Sequence, residues 1–429
     1  MILLENSPFP PGCYHAQVKD GLRSQRLDRY ADLLLKVGVN LQPGQKLILR
    51  TSTDAKELSR LVVEKAYEMG SPYVEVFWSD DGVTRARFEH APDESFSIVP
   101  EHVAQRMIQL ATEGAASLAI VGEDPFLLVG TDPQRTRTYQ QHWRPLMKPY
   151  SEMSMSDQIA WTVAGSATPA WARRVFPDLP EEEALERLWE AIFHTVRLDC
   201  DDPYAAWREH AGRLRECKEK LNARNYAAVR FRGPGTDLRV GLADGHLWDG
   251  GGSFTPAGDQ FVANMPTEEV FTAPHKDRVD GVVRATKPLV YQGTVIEGIE
   301  LEFEGGEVKR ARATKGQEAL EGILAADAGS KRLGEVALVP ASSPISRMGF
   351  LFFETLFDEN AACHLALGQG YPTTLRGGQR MSPDERRDAG LNQSLVHVDF
   401  MIGSDQIDID GELQSGELEP LMRGGEWVD

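Results

Sequence analysis

His397 and Asp399 stand two residues apart in the segment Ser394-Leu395-Val396-His397-Val398-Asp399-Phe400-Met401. The segment alternates as a half-buried strand does. The imidazole and the carboxylate therefore share one face, and Val396, Val398 and Phe400 take the other. Both groups are ligands that Zn, Co or Mn accept. Further candidates lie upstream. Glu335 is flanked by apolar residues in Leu333-Gly334-Glu335-Val336-Ala337-Leu338, a strand-like run in which an unpaired carboxylate is costly to bury. A metal ion would offset that cost, and so would a nearby arginine. His364 is the one histidine in residues 357–368, which read as an apolar helical run, and Tyr371 follows after Gly370. A lone histidine on such a run is more often a satisfied core residue than a ligand.

Rival arrangements are weaker. Asp408 and Asp410 repeat the spacing of His397 and Asp399, but they read as a solvated strand before a turn and lack the further oxygen ligands of an EF-hand loop. H-E-x-x-H and G-x-S-x-G are both absent. Ser342, Ser343 and Ser346, close to Pro340 and Pro344, read as a loop. Cys363 adjoins His364, but helix neighbours do not face each other, so a buried thiol is the expectation. His275 and Asp277 read as polar loop residues, a reserve site at best.

Three motifs make the pattern specific: Asn264-Met265-Pro266-Thr267-Glu268-Glu269-Val270-Phe271-Thr272, Leu356-Phe357-Asp358-Glu359-Asn360-Ala361-Ala362-Cys363-His364, and His397-Val398-Asp399-Phe400-Met401-Ile402-Gly403-Ser404. Here the chain resembles the thermophilic metallo-aminopeptidase family, that of aminopeptidases T, S and II, from about Asp28 to the C-terminus. The resemblance implies metal ligation by Glu269, Glu335, His364, Tyr371, His397 and Asp399, none of them substituted, with Glu269, Glu335 and Tyr371 also catalytic. It further implies removal of N-terminal amino acids from peptides that carry a free N-terminus, and a homodimer. Residues 1–23 look like an extension before the family's usual start, and the loop between Tyr371 and His397 is somewhat long. Both leave the ligand set intact.

Six ligands exceed what one four-coordinate zinc takes. They suit two divalent ions (Zn, Co or Mn) that share one carboxylate, a site able to activate water and polarise a carbonyl. Glu268 adjoins a ligand, yet in an extended segment it points to the opposite face. Two other readings stay open: a dinuclear hydrolase of another amide, and a non-catalytic peptide-binding protein on a peptidase scaffold.

The elements that position these residues follow from patterning. Leu27, Tyr30, Leu34 and Val37 recur at helical spacing, with Gly38 as the expected C-cap. Strands are expected at residues 46–50, 73–78 and 118–121. Between them lie a helix capped by Asp54, with Leu58, Leu61, Val62, Ala66 and Met69 on its face, and a helix over residues 100–113. This β-α-β-α-β order predicts a parallel sheet with helices on its faces. The first strand-to-helix turn, Arg50-Thr51-Ser52-Thr53-Asp54, has no glycine to admit a pyrophosphate, which argues against a dinucleotide site. Residues 183–222 are helical, interrupted by Pro203. Hairpins follow around Pro234-Gly235 and Gly305-Gly306. The fold class expected is α/β: an N-terminal α/β domain over residues 24–224, with a mainly parallel sheet, then a β-rich α+β catalytic domain over residues 225–429.

The 429 residues carry a net charge of −19, which opposes binding to nucleic acid or anionic lipid. The four cysteines, Cys13, Cys200, Cys217 and Cys363, form no C-x-x-C pair, and residues 1–15 have no basic, long-apolar leader pattern. A cytoplasmic protein is the expectation.

Overall fold

The structure, a computed structural model, describes residues 16–428, with side chains described from Arg23. The irregular stretch expected over residues 1–23 lies outside the described residues as far as residue 15. From there the chain is already helical, in α1 (Ala16–Leu33). Leu27, Tyr30 and Leu34 are buried as their spacing requires, and a π-helical turn over Leu34–Gly38 ends the element. Gly38 lies inside that turn and is not a left-handed cap. A Cβ there would stand 3.0 Å from Thr162 Cγ2, so close packing accounts for the glycine.

The N-terminal half continues with β1 (Leu47–Ser52), α2 (Lys56–Glu68), β2 (Val74–Ser79), α3 (Asp81–His90), α4 (Glu101–Thr112), β3 (Ala116–Val121), α5 (Pro133–Met155) and β4 (Trp161–Gly165). Helices α6 (Pro169–Val175), α7 (Glu181–Thr195) and α8 (Pro203–Arg224) follow. The strands pair in parallel in the order β2-β1-β3-β4, as the alternation of strand and helix predicts. Asp54 does not cap α2. It lies in a 3-10 turn, and the N-cap position falls on Ala55, whose side chain makes no cap bond. Pro203 opens a helix: it sits in the first turn of α8, and the Asp202 side chain accepts a hydrogen bond from the Ala205 amide.

Beyond residue 224 the chain turns to strands. β5 (Ala228–Gly233) and β6 (Thr236–Leu242) form the first expected hairpin, and β7 (Ser253–Phe254) pairs with β8 (Gln260–Phe261). β9 (Asn264–Met265) then returns to the N-terminal sheet as its fifth parallel strand, beside β4. Next come β10 (Val270–Thr272), β11 (Pro274–Arg284), β12 (Leu289–Tyr291), β13 (Thr294–Ile296), β14 (Glu300–Glu304), β15 (Glu307–Arg312), α9 (Gln317–Leu324) and β16 (Leu333–Leu338). The chain ends through α10 (Pro344–Arg347), α11 (Thr355–Asp358), β17 (His364–Gly368), α12 (Pro383–Asp388), β18 (His397–Met401), β19 (Asp408–Glu412), β20 (Leu418–Arg423) and β21 (Glu426–Trp427).

These strands build an eight-stranded antiparallel sheet, β15-β14-β11-β6-β5-β19-β20-β21, and a four-stranded one, β10-β16-β17-β18. Apolar residues of both sheets share one core. A second core fills the N-terminal half and draws Phe261, Met265, Phe352 and Phe357 into it from beyond residue 224. The fold class is the expected α/β, a parallel sheet followed by a β-rich region. His275 and Asp277 lie in β11, not in a loop, and Asp277 pairs there with Arg332 and Lys276. Among the described residues, no helix is long and apolar enough to cross a membrane.

Candidate metal centre

The four-stranded sheet gathers the candidate ligands. Its register sets Ala337 opposite His364, Glu335 opposite Ala366, Ala366 opposite Asp399, and Gly368 opposite His397. Residues paired across strands share a face. Glu335, His364, His397 and Asp399 therefore project together, while Val336, Leu338, Leu365, Leu367, Val398 and Phe400 fill the core behind them. Glu335 owes its direction to a bulge. The register shifts between Leu333 and Glu335, so Leu333 joins the core although simple alternation would put both on one face. A Cβ on Gly334, within the bulge, would come 2.3 Å from the Gln369 carbonyl oxygen. Gly368, at φ +107, is likewise confined: a Cβ there would lie 2.0 Å from the Val396 carbonyl oxygen.

His364 begins strand β17, contrary to the helix expected there. A strand needs fewer residues than a helix to hide an apolar run, and periodicity alone does not separate the two. Cys363 still turns away from the site, because strand neighbours point to opposite faces. Its thiol is buried and contacts the Val339 carbonyl at 3.2 Å, and burial pushes its pKa up to about 11. Glu269 immediately precedes β10, whose pairing of Val270 with Leu338 sets it alongside β16.

Two sets of ligand atoms, each within 4.8 Å of one another, result: Glu269, Glu335 and His364, and Glu335, His397 and Asp399. Glu335 belongs to both. Its Oε1 lies 3.4 Å from His364 Nε2, and its Oε2 lies 3.9 Å from His397 Nε2. Glu269 Oε2 is 3.0 Å from His364 Nε2, and Asp399 Oδ1 is 3.3 Å from His397 Nε2. Both oxygens are buried, yet neither makes a hydrogen bond of acceptable geometry despite those short separations. The far nitrogens are engaged: His364 Nδ1 lies 3.1 Å from the Ala362 carbonyl, and His397 Nδ1 lies 2.7 Å from the Gln369 carbonyl. Carbonyl oxygens only accept, so each Nδ1 donates. In its neutral form each imidazole thereby turns its Nε2 lone pair toward the carboxylates, the arrangement of metal-ligating histidines, and a proton takes that position when no metal ion does. Orphaned carboxylate oxygens beside imidazole lone pairs fit a bound cation.

The electrostatics agree. Burial drives the Glu335 carboxyl pKa up, with Glu269 and Asp399 adding repulsion against the pull of His364 and His397. Burial alone would lower His397, but Asp399 and Glu335 outweigh it and push its pKa up to about 10. The site is a sink for positive charge. Tyr371 meets it with its ring edge against His397, centroids 5.2 Å apart, and burial beside the carboxylates raises the phenol, which favours the protonated form. A cavity of about 290 Å³ opens onto the cluster.

Glu359 was missed as a separate candidate. It is 8 % exposed and lines the same cavity, and burial with repulsion from Asp399 and Glu269 holds its carboxyl well above the usual range. Its signal was present in the Asp358-Glu359-Asn360 run between apolar residues. Glu268 points away, as expected, to Arg197 at 2.7 Å. The expected solvated pair divides: Asp408 is exposed, whereas Asp410 is buried and ion-paired to Arg423 and Arg232.

Residues 23–427 match the thermophilic metalloprotease (M29) family. Aminopeptidase T of Thermus thermophilus is 48 % identical, over 94 % of this chain and 98 % of its own length. Aminopeptidase 2 of Geobacillus stearothermophilus is 47 % identical, over 94 % and 98 %. The solved structure of wild-type AmpT from Thermus thermophilus superposes with a TM-score of 0.88 at 47 % identity, covering 94 % of this chain and 99 % of that one. The fold, the acid-and-imidazole cluster and these likenesses define a metal-dependent peptide hydrolase. The chain belongs to the M29 thermophilic metalloprotease family.

Proposed function

We propose that this protein is an aminopeptidase that removes N-terminal residues from peptides with a free N-terminus. It holds two divalent ions, Zn, Co or Mn, between Glu269, Glu335, His364, Tyr371, His397 and Asp399. The observation that carries the two-ion reading is Glu335, whose two oxygens face different histidines and complete two ligand sets at once. The names of the relatives support the exopeptidase reading. Ions at this position would polarise the scissile carbonyl, lower the pKa of water and stabilise the oxyanion. The chain's own part is orientation. Ala362 and Gln369 hold the imidazoles in the tautomer that presents Nε2, Glu335 fixes the distance between the two halves, and Tyr371, edge-on to His397 and lining the same cavity, serves as ligand or proton donor. The same reading includes a cytoplasmic homodimer whose N-terminal domains help enclose the sites.

The test combines metal analysis with substrate choice. Purified protein should carry two equivalents of metal per chain and hydrolyse an aminoacyl anilide. o-Phenanthroline or EDTA should abolish turnover, and Zn, Co or Mn should restore it. An N-acetylated peptide should resist while its free form is trimmed stepwise. Full turnover by metal-free protein, or internal cuts in the blocked peptide, would contradict this function.

A further inference from the structure

Glu359 is a buried carboxyl group that lines the cavity beside the candidate metal centre. Among the described residues, neither lysine nor arginine comes within ion-pair distance. The hydrogen bond to its side chain, from Asn264 Nδ2, is long at 3.5 Å. Nor does it belong to either set of ligand atoms gathered around Glu335. Yet it is held firmly. It opens the turn Glu359–Ala361, and the neighbouring Asn360, fully buried, clamps that turn. Asn360 Oδ1 accepts from the Glu268 amide at 2.7 Å, its Nδ2 donates to the Leu356 carbonyl at 2.9 Å, and its carbonyl accepts from Ser343 Oγ at 3.0 Å. The first of these bonds ties the turn that carries Glu359 to the backbone just before Glu269. A rigid carboxyl group facing the cavity, with no lysine or arginine fixed against it, is held as the neutral acid by burial and ionises readily when a cation comes against it.

We propose that Glu359 receives the substrate's α-ammonium group and so sets the register at which the chain end meets the metal cluster. The inference rests on the aminopeptidase reading and assigns its amine subsite to a protein carboxylate in place of an ion. A primary ammonium is the one charge common to every peptide with a free N-terminus, whatever its first side chain. It can donate up to three charge-assisted hydrogen bonds, and its positive charge favours the ionised, acceptor-only form of Glu359. Burial makes each of those bonds worth more than at the surface.

The test uses metal-loaded wild-type protein and the variant Glu359→Gln, with two inhibitors that differ only in the amine: leucine hydroxamate and 4-methylpentanoyl hydroxamate. Wild-type protein should bind the amine-bearing compound roughly 10- to 100-fold more tightly, the span of a charged hydrogen bond. In Glu359→Gln that preference should collapse, while affinity for the amine-free compound and the metal content stay unchanged. The amine-free compound therefore also reports a folded, loaded site. Glu359→Asp keeps the charge and should retain part of the preference. A preference that survives in Glu359→Gln overturns the role of Glu359, as does loss of both affinities together with the metal. If wild-type protein shows no preference at all, the aminopeptidase reading itself fails.

Discussion

Glu268 Oε1 lies 2.7 Å from Arg197 Nη2, so of two consecutive glutamates one completes a largely buried ion pair and the other, Glu269, faces His364 in the candidate metal centre. Burial raises the Glu268 carboxyl, and Arg197 opposes that rise. His210 stands 3.6 Å from the other Glu268 oxygen. Glu268→Ala should leave the largely buried Arg197 without its carboxylate partner and cost about 3 kcal/mol of stability, the usual range for breaking such a pair. Metal content should persist in the protein that remains folded. Denaturant titration with metal analysis checks this; loss of metal at unchanged stability would put Glu268 inside the site.

Asp399→Ala and Glu335→Ala should each lower turnover by several orders of magnitude and weaken metal binding, because each removes negative charge from a buried set of ligands. The circular-dichroism spectrum should stay that of a folded protein. Asp408→Ala should be nearly silent, since Asp408 is exposed and its carboxylate only accepts from the Gly424 amide. Equal damage from Asp408→Ala and Asp399→Ala would show the wrong carboxylate was chosen.

Acid should loosen the eight-stranded sheet through Glu412. Arg239 on β6 holds its carboxyl low, against burial and with help from Arg230 on β5, to about 2. A depressed carboxyl pKa favours the fold above the unfolded value, near 4.3, and loses that contribution as pH falls toward 2. Glu412→Gln should cost about 2 kcal/mol at neutral pH and flatten the dependence of stability on pH between about 4 and 2. Equilibrium unfolding across that range decides it; parallel curves for the two proteins would exclude Glu412 as the titrating group.

Sedimentation should give twice the chain mass of 47.6 kDa, as a closed two-fold assembly requires. Oligopeptides should be trimmed far faster than the termini of a stable folded protein. A monomer that attacks both alike would remove the enclosure and leave the N-terminal domain without that role.

The period of two around His397 and Asp399 determined their common face, because a strand permits no other arrangement of alternating side chains. Strand and helix alternation likewise determined the parallel sheet, and the direction of Glu268 followed from the same geometry. Other features depended on contacts far along the chain. Whether residues 364–368 form a helix or a strand is decided by the neighbours β16 and β18, which supply hydrogen-bond partners the local run cannot announce. The turn of Glu335 into the site depends on the Gly334 bulge, whose cause is the carbonyl of Gln369 pressed against it. The fifth strand of the N-terminal sheet is only two residues, Asn264–Met265, too short to show a period. Helix α5 carries Pro145 and Pro149 inside it, against its local propensity, and packing has to hold it. The residue types of the candidate ligands, and the common face of His397 and Asp399, were thus written locally. The sharing of Glu335 between two histidines, and the isolation of Glu359 beside them, were decided by tertiary structure, because both are statements about which distant side chains come close and which do not.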